Sequence, residues 1–382
     1  MSIPTQLILV SAQPAPNLTP ILDESLRPRK VIMMVSDDMV NQARALEKIY
    51  KGRLGLQVEW VAIRNPWDAG SISAQIDKLI HPYPPDGIVL NATGGTKLMS
   101  IAAYEAFYTQ SKPVFYVHPE RDCIIWLNSE LPPRDLENRL TIKDYLGAYG
   151  AAKVDYQTHG VPTKIKALTG VLIANIEKYH KALGVLNFLA MRARDTLQAK
   201  IDDKQREYPA LHELISLFYE AGLCRVDADV LSFPDEDKRF MVNGGWLEQH
   251  CYSICRKLRN RLDIQDVACN IDLERPQGAQ SVPNEIDLAV LAENRLFLLE
   301  CKTKYFNEQS KKNSETAKAL YQLNTLRTLY GGSQARAMLV SYRKLDASVL
   351  HRASDLKIEV CHYIGLKRLE HVLLTWLQSA IR

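Results

Sequence analysis

The chain has 382 residues, of which 46% are hydrophobic and 24% are charged. This length and composition predict two or three domains that each bury a core, and they exclude a fibrous or disordered chain. A net charge of +4 is too small to indicate a nucleic-acid or membrane partner by itself. The start lacks the pattern of a signal peptide, and no window reaches the roughly 18 apolar residues of a membrane span. Seven cysteines form no CxxC pair, which indicates neither zinc nor a disulfide framework. We therefore expect a soluble, cytoplasmic protein.

The first 150 residues alternate short apolar runs with amphipathic segments. QLILVS precedes NLTPILDESL, KVIMMVS precedes MVNQARALEKIY, and GIVLNAT precedes KLMSIAAYEAFY. Repeated strand and helix patterns predict a parallel sheet with helices on both faces. We expect an α/β domain over residues 1–150, a mainly helical connector over 151–235, and a second α/β domain over 236–382. In the second domain, GGWLEQHCYSICRKLRNRL is predicted as a helix and EIDLAVLAENRLFLLECK as a hairpin.

Three polar loops of the first domain follow predicted strands, at the edge where open α/β sheets bind ligands. They are VSAQPAPN, VSDDM and NATGGTKLM. In the last loop, two glycines free the backbone amides to face an anion, and a lysine adds charge at the start of a helix. This predicts a nucleotide or phosphate site without a Walker A motif, although a tight turn with a helix cap explains the same letters. The candidate binding residues are Ser11, Gln13, Asn17, Ser36, Asp38, Thr93, Gly94, Gly95, Thr96 and Lys97.

Carboxylates interrupt the apolar strands of the predicted hairpin. A four-residue loop at Ala292–Arg295 would place Asp287 opposite Glu300 and Glu285 opposite Lys302, all on one face. Opposed carboxylates repel each other unless a divalent cation lies between them. Because the set contains oxygen ligands and no His or Cys, Mg²⁺ or Mn²⁺ is predicted.

The neighbouring lysine and a helical glutamate complete the candidate catalytic set. Lys302 can orient or deprotonate a water molecule and stabilise charge that develops on a phosphorane. Glu248, at the border of an apolar helical stripe, can reach over the sheet as a further metal or substrate ligand. Together these residues predict phosphodiester hydrolysis. The alternative is an edge ladder of ion pairs such as Glu285 with Lys302, but the continuous run LFLLECK favours a central strand.

Basic residues lie near this set. The predicted helix ends in RKLRNRL, and further lysines follow the hairpin. They are candidates for phosphate contacts, and a solvated helix face explains any single one equally well. The residues in question are Arg256, Lys257, Arg259, Arg261, Lys304, Lys311, Lys312 and Lys318.

In chain order, GGWLE, NEID and ECK resemble the restriction-endonuclease-like PD-(D/E)xK core, with Glu248, Asp287, Glu300 and Lys302 on the motif positions. Pro283 precedes the motif aspartate at a distance, so the PD pair is not literal. VSDDM and TGGTKLMSIAAY resemble the CRISPR-associated Rossmann-fold (CARF) sensor domain. Together, the two halves resemble the CARF nucleases of type III CRISPR systems over essentially the whole chain.

The resemblance implies a Rossmann-like CARF domain, a helical connector and a restriction-endonuclease-like domain. It also implies a homodimer that binds cyclic oligoadenylate, typically cyclic tetra-adenylate, and then cleaves DNA or RNA with a metal ion in antiviral defence. Two alternatives stay open: a nucleotide-sensing regulator that binds nucleic acid without cutting it, and an unregulated repair-type nuclease whose first domain is a scaffold.

Overall fold

The structure is a computed structural model that describes residues 4–277, 280–303, 312–332 and 334–379. Within these ranges, no helix combines the length and the apolar character that crossing a membrane requires. Of the candidate phosphate-binding lysines, Lys304 and Lys311 lie outside the described residues.

The N-terminal domain contains one seven-stranded sheet with strand order β3-β2-β1-β4-β5-β6-β7. Its strands are β1 (Thr5–Leu9), β2 (Lys30–Ser36), β3 (Gln57–Ile63), β4 (Ile88–Asn91), β5 (Val114–His118), β6 (Cys123–Trp126) and β7 (Arg134–Asp135). The first five strands are parallel, as predicted, and the last two add antiparallel edges. The chain reverses its direction of winding between β1 and β4, which opens a crevice at the carboxyl ends of these two strands.

Helices cover both faces of this sheet, because its central strands are apolar on both sides. They are α1 (Ala15–Leu22), α2 (Val40–Leu54), α3 (Ala69–Ile80), α4 (Lys97–Thr109) and α5 (Ile142–Ala148). One core cluster joins the sheet to α3 and α4. A second cluster joins its other face to α1, α2 and α5.

The segment predicted as a connector is mainly helical, but it is not a separate unit. Its elements are β8 (Lys153–Gln157), α6 (Thr163–Ala174), α7 (Ile176–Arg192), β9 (Gln198–Lys200), α8 (Asp203–Arg206), α9 (Pro209–Glu220), β10 (Arg225–Asp227) and β11 (Val230–Ser232). The predicted second domain begins with α10 (Glu236–Phe240). β8 joins the C-terminal sheet, while β9, β10 and β11 form a small sheet of their own. Leu186 and Phe218 share one core cluster with Trp246 and Phe297, so the helices form a layer on the C-terminal sheet.

The C-terminal sheet has the order β16-β15-β14-β13-β12-β8. Its remaining elements are α11 (Trp246–Leu258), β12 (Asp266–Gln277), β13 (Gln280–Ala292), β14 (Arg295–Lys302), α12 (Lys312–Gly331), β15 (Arg336–Ser341), α13 (Ala347–Asp355), β16 (Glu359–His362) and α14 (Leu369–Gln378). β14 lies between antiparallel β13 and parallel β15 and is buried almost throughout. The prediction of a central strand, rather than an edge ladder, is therefore confirmed.

The turn between β13 and β14 contacts the N-terminal domain. Asn294 Nδ2 donates to Asp122 Oδ2 at 2.6 Å, and Arg295 Nη2 donates to the carbonyl of Glu120. Around this junction, Ile8 of the first sheet and Leu298 of the second belong to the same core cluster. The two domains are therefore packed together rather than tethered.

Candidate active site and N-terminal crevice

The β13–β14 hairpin brings Asp287 and Glu300 to the same end of its ladder. Leu291 pairs with Leu296 and Leu288 pairs with Leu299, which confirms the register predicted from a four-residue loop. Directly beyond the last pair, Asp287 Oδ2 accepts a hydrogen bond from the backbone N–H of Cys301 at 2.6 Å. The carboxylate of Asp287 is thereby held beside the strand that carries Glu300.

The predicted pairing of Glu285 with Lys302 is wrong. The β13–β14 ladder ends at Leu288 and Leu299 and does not reach Glu285 and Lys302, whereas on its other edge β14 pairs with β15 as far as Lys302 and Ser341. The Lys302 ammonium forms an ion pair with Glu300 on its own strand.

The physical reason for this difference is a break in the side-chain alternation of β13. Ile286 packs into the junction core, whereas Leu288 packs into the opposite core, although their even spacing would place them on one face. Asn270 lies on β12 between the residues that pair with Leu288 and Ile286 of β13. Its φ is 49°, in the left-handed region. Such an irregularity turns a strand and re-aims a side chain, and here it occurs at the candidate catalytic aspartate.

The site holds more negative charge than its single ammonium balances. Burial, and then the charge of Glu300, raise the pKa of Asp287 to about 7 against the opposing effect of Lys302. Burial, and then the nearby Asp287, Glu285 and Glu300, raise the pKa of Glu248 well above its usual range. Burial disfavours the charged ammonium of Lys302, but Glu300 and Asp287 outweigh it and raise the pKa of this lysine. Such mutual perturbation of buried groups is typical of functional sites.

These residues fit a divalent cation held by two carboxylates. In the described ranges, no three His, Cys, Asp or Glu side chains lie close enough to hold one ion together. The carboxylates of Glu248, Asp287 and Glu300 therefore do not form a single three-ligand cluster in this structure, although the sequence predicts all three as candidate metal ligands. Mg²⁺ is commonly bound through one or two carboxylates, with water and phosphate oxygens at its other positions, which is what Asp287 and Glu300 offer.

A glycine explains how α11 delivers Glu248 to this end of the sheet. Gly244 has a φ of 123°, and a Cβ atom on it would lie 1.8 Å from Oγ1 of Thr303. Thr303 directly follows Lys302, its hydroxyl donates to the carbonyl of Asn243 at 3.4 Å, and its own carbonyl accepts from Asn187 Nδ2 at 2.6 Å. The glycine pair of GGWLE therefore permits a close approach between the start of α11 and the end of β14.

Three of the candidate phosphate-binding cations have structural partners instead. Lys257 pairs with Glu370 at 2.8 Å, Arg259 donates to the carbonyl of Gln265 at 2.8 Å, and Arg256 donates to the hydroxyl of Tyr252 at 3.0 Å. These contacts stabilise the end of α11, so we assign these three residues no phosphate contact.

In the N-terminal crevice, the loop after β4 both caps the N-terminus of α4 and packs closely against β1. Thr96 Oγ1 accepts from the backbone N–H of Met99 at 3.2 Å and thereby caps α4, whose first residue is the exposed Lys97. Gly95 has a φ of 74°, and a Cβ on Gly94 would lie 1.9 Å from the carbonyl oxygen of Leu9. Both glycines are therefore required by the packing of this loop against β1.

The other predicted residues differ in exposure, because Gln13 and Asp38 are exposed whereas Ser36 and Asn17 are buried. Ser36 Oγ donates to Asp38 Oδ1 at 2.6 Å at the end of β2, and Ser11 Oγ donates to the carbonyl of Gln13 at 3.2 Å after β1. Asn17 is fully buried and its amide donates to the carbonyl of Leu9 at 2.8 Å. Asn17 consequently supports the crevice from below instead of facing a ligand.

Sequence reasoning missed a cavity that continues this crevice toward the second domain. Its volume is about 230 Å³. Because its walls come from distant parts of the chain, no local motif marks it. Besides the predicted Ser11, Gln13 and Thr93, it is lined by Tyr116, Asp122, Tyr145, Tyr149, Asn294, Arg295 and Gln334.

Comparison with known proteins defines the class of each domain. Residues 5–145 match the family model of the Card1 CARF domain. Residues 235–380 match the family model of the Card1-like endonuclease domain. Together, the two matches span most of the chain and confirm the predicted sensor and nuclease domains, so the chain combines a CARF domain with a Card1-like endonuclease domain.

Two solved structures match over nearly the full length of both chains, and a third matches over less than half of its own chain. Protein VC1899 from Vibrio cholerae shares 29% identity with a TM-score of 0.90, covering 99% of this chain and 99% of that chain. Can2 from Sulfobacillus thermosulfidooxidans, solved with cyclic tetra-adenylate, shares 23% identity with a TM-score of 0.82, covering 98% and 99%. A type III CRISPR defence DNA nuclease activated by cyclic oligoadenylate shares 18% identity with a TM-score of 0.56, covering 89% of this chain and 45% of that chain. No curated protein matches the sequence.

Proposed function

We propose that this chain is a homodimeric endonuclease that cleaves nucleic acid when cyclic tetra-adenylate binds to its CARF domains, as part of type III CRISPR defence. The observation that carries the proposal is the set of buried Glu300 with the half-buried Asp287 and Lys302, on a hairpin whose turn contacts the CARF domain. A scaffold would have no need to keep these mutually perturbing charges buried at one point.

In this proposal, each residue of the set has a separate task. Asp287 and Glu300 hold Mg²⁺ or Mn²⁺, which when bound would act as a Lewis acid on the scissile phosphate. Lys302, held by Glu300, orients the attacking water and stabilises the negative charge that develops on phosphorus. Glu248, whose pKa is raised by burial and then by Asp287, supports metal or substrate from α11.

The activator site is proposed at the switch point between β1 and β4. The N-terminus of α4, at the TGGTK loop, offers backbone N–H groups and Lys97 for phosphates. Ser36 and Asp38 lie at the end of β2. The solved complex of Can2 with cyclic tetra-adenylate, which covers 98% of this chain, supports the same ligand.

An apolar stripe beside this loop supports the homodimer. One face of α4 presents Leu98, Ile101 and Tyr108 at helical spacing, and these side chains are 37%, 61% and 61% exposed. Trp67, just before α3, is 69% exposed. Large exposed apolar groups that cluster in this way mark interaction surfaces. Because α4 begins at the activator loop, a two-fold axis along this stripe would bring two crevices to one cyclic ligand.

The test is a cleavage assay on the full-length protein. Plasmid DNA and single-stranded RNA are incubated with protein and Mn²⁺, with and without cyclic tetra- or hexa-adenylate. We expect cleavage with the tetra-adenylate and none without it. Binding of either substrate without cleavage under all conditions would favour the non-cutting regulator, and cleavage independent of any activator would favour the unregulated nuclease.

A further inference from the structure

The junction cavity has one wall in each domain. Ser11, Gln13 and Thr93 of the CARF domain face Arg295 and Gln334 of the nuclease domain. Its volume of about 230 Å³ far exceeds the roughly 30 Å³ that one water molecule occupies in the liquid. The cavity thus shares its first wall with the proposed activator crevice, and its second wall belongs to the enzyme.

Among the polar side chains in this cavity, Asp122, Asn294 and Arg295 are more than nine-tenths buried. Arg295 is 7% exposed, and its Nη2 donates to the carbonyl of Glu120, yet among the described residues its Nε has no hydrogen-bond partner. An unpaired buried N–H is costly, so this atom is suited to an acceptor on a ligand. Asp122, also in the wall, presents a carboxylate whose bond from Asn294 fixes its position.

The remaining wall is aromatic, and the charged groups in the wall are of both signs. Tyr145 and Tyr149 stack with ring centroids 5.2 Å apart, and Tyr116 contributes a further ring. Flat aromatic walls favour a flat heterocycle. Asp122 and Glu293 line the cavity together with Arg295, so the wall carries charges of both signs and offers hydrogen-bond acceptors beside a donor, and the phosphates are assigned to the TGGTK loop.

An adenine base meets these requirements, since it carries an amino donor beside ring-nitrogen acceptors. We propose that the junction cavity receives one adenine base of the activator, with Asp122 accepting from its amino group and Arg295 Nε donating to a ring nitrogen. This inference rests on the proposed function and adds a subsite that contacts both domains.

The subsite would connect the activator directly to the catalytic carboxylates of the same protomer. Arg295 begins β14, which also carries Glu300, and β13 carries Asp287 on the other side of the turn. The two strands are buried between the turn and the catalytic end, so they are expected to shift as a unit. A base that moves Arg295 therefore changes the position of both carboxylates relative to Glu248 on α11.

The test compares two cyclic ligands by isothermal titration calorimetry on the full-length protein. Cyclic tetra-inosinate replaces each amino group of cyclic tetra-adenylate with a carbonyl oxygen, which Asp122 would repel. We expect the wild type to bind the adenylate roughly ten- to a hundred-fold more tightly. Asp122→Asn keeps an oxygen for Asn294 but adds a donor, so this preference should largely disappear. Arg121→Ala, an exposed neighbour outside the cavity wall, is the matched control and should keep the wild-type preference.

The possible outcomes distinguish failure of the adenine subsite from failure of the proposed function. Wild-type binding of cyclic tetra-adenylate with an unchanged preference in Asp122→Asn would overturn the subsite alone. No binding by the wild type would overturn the proposed function and the subsite with it. If Asp122→Asn does not fold, Tyr116→Leu at a partly exposed position replaces it: a several-fold weaker affinity supports the subsite, and an unchanged affinity overturns it.

Discussion

The two sites of this protein use charge in opposite ways. In the nuclease domain, Asp287, Glu300 and Lys302 lie together; burial and then Glu300 raise the pKa of Asp287, and Glu300 raises the pKa of Lys302 against the effect of burial. In the CARF crevice, the TGGTK loop relies on backbone geometry, hydroxyl groups and the solvent-exposed Lys97. Hydrolysis requires charge held in a dry site, where electrostatic interactions are strong, whereas reversible recognition requires shape and donors that are cheap to desolvate. Variants of each site should therefore fail in different assays.

The largest expected effect is in the nuclease site. Glu300→Gln removes a proposed cation ligand and the ion-pair partner of Lys302, so we expect cleavage to fall roughly a hundred-fold or more, while calorimetry should find the cyclic tetra-adenylate affinity unchanged. Glu359→Gln, on the exposed side of β16, should cleave like the wild type. A comparable loss of activator affinity in Glu300→Gln would contradict the separation of the two sites.

Two glycine substitutions test the nuclease site and the CARF crevice separately. Gly244→Ala places a Cβ 1.8 Å from Oγ1 of Thr303, and Gly94→Ala places one 1.9 Å from the carbonyl oxygen of Leu9. Each should lower the free energy of unfolding by about 1–3 kcal/mol. We expect the first to lower cleavage and the second to weaken activator binding, each by about ten-fold.

The control for both is Gly147→Ala, where no atom lies within 4 Å of the added Cβ. Chemical denaturation, calorimetry and cleavage are measured on all three variants. The account is wrong on this point if Gly94→Ala reduces cleavage at saturating activator but leaves activator affinity intact.

Activation should also depend on the apolar stripe of α4. Ile101 is 61% exposed in the single chain. Because Ile101→Glu would place a charge in the proposed dimer interface, sedimentation velocity should show a shift from dimer to monomer. Activator-dependent cleavage should then fall several-fold at micromolar protein. Tyr219→Glu, at an equally exposed position on α9, should leave the dimer intact. A stable dimer in the Ile101 variant would move the interface elsewhere.

The smallest effect is expected at the end of β2. Ser36→Ala removes one neutral hydrogen-bonding group next to Asp38, so the affinity for cyclic tetra-adenylate should weaken by about two- to ten-fold. Ser71→Ala on α3 serves as the control. Unchanged affinity in both variants would remove Ser36 from the activator site.

Particular residues show what the sequence could and could not predict. The pairing of Leu291 with Leu296 followed from strand periodicity and loop length, because both are local properties. The position of Glu285 did not, because the left-handed Asn270 on a different strand interrupts the alternation. Asp122 and Arg295 meet only through the packing of two domains, so no spacing rule could bring them together. The role of Gly94 likewise depends on Leu9, far away in the sequence.

The central claim is that Asp287 and Glu300 share one hard divalent cation. Its most direct test is calorimetric titration of Mn²⁺ into the full-length wild type and into Asp287→Asn and Glu300→Gln, with Glu359→Gln as the control. We predict one Mn²⁺ per protomer in the wild type and the control, and binding weakened beyond detection in both site variants. Wild-type Mn²⁺ affinity in either site variant would contradict the claim.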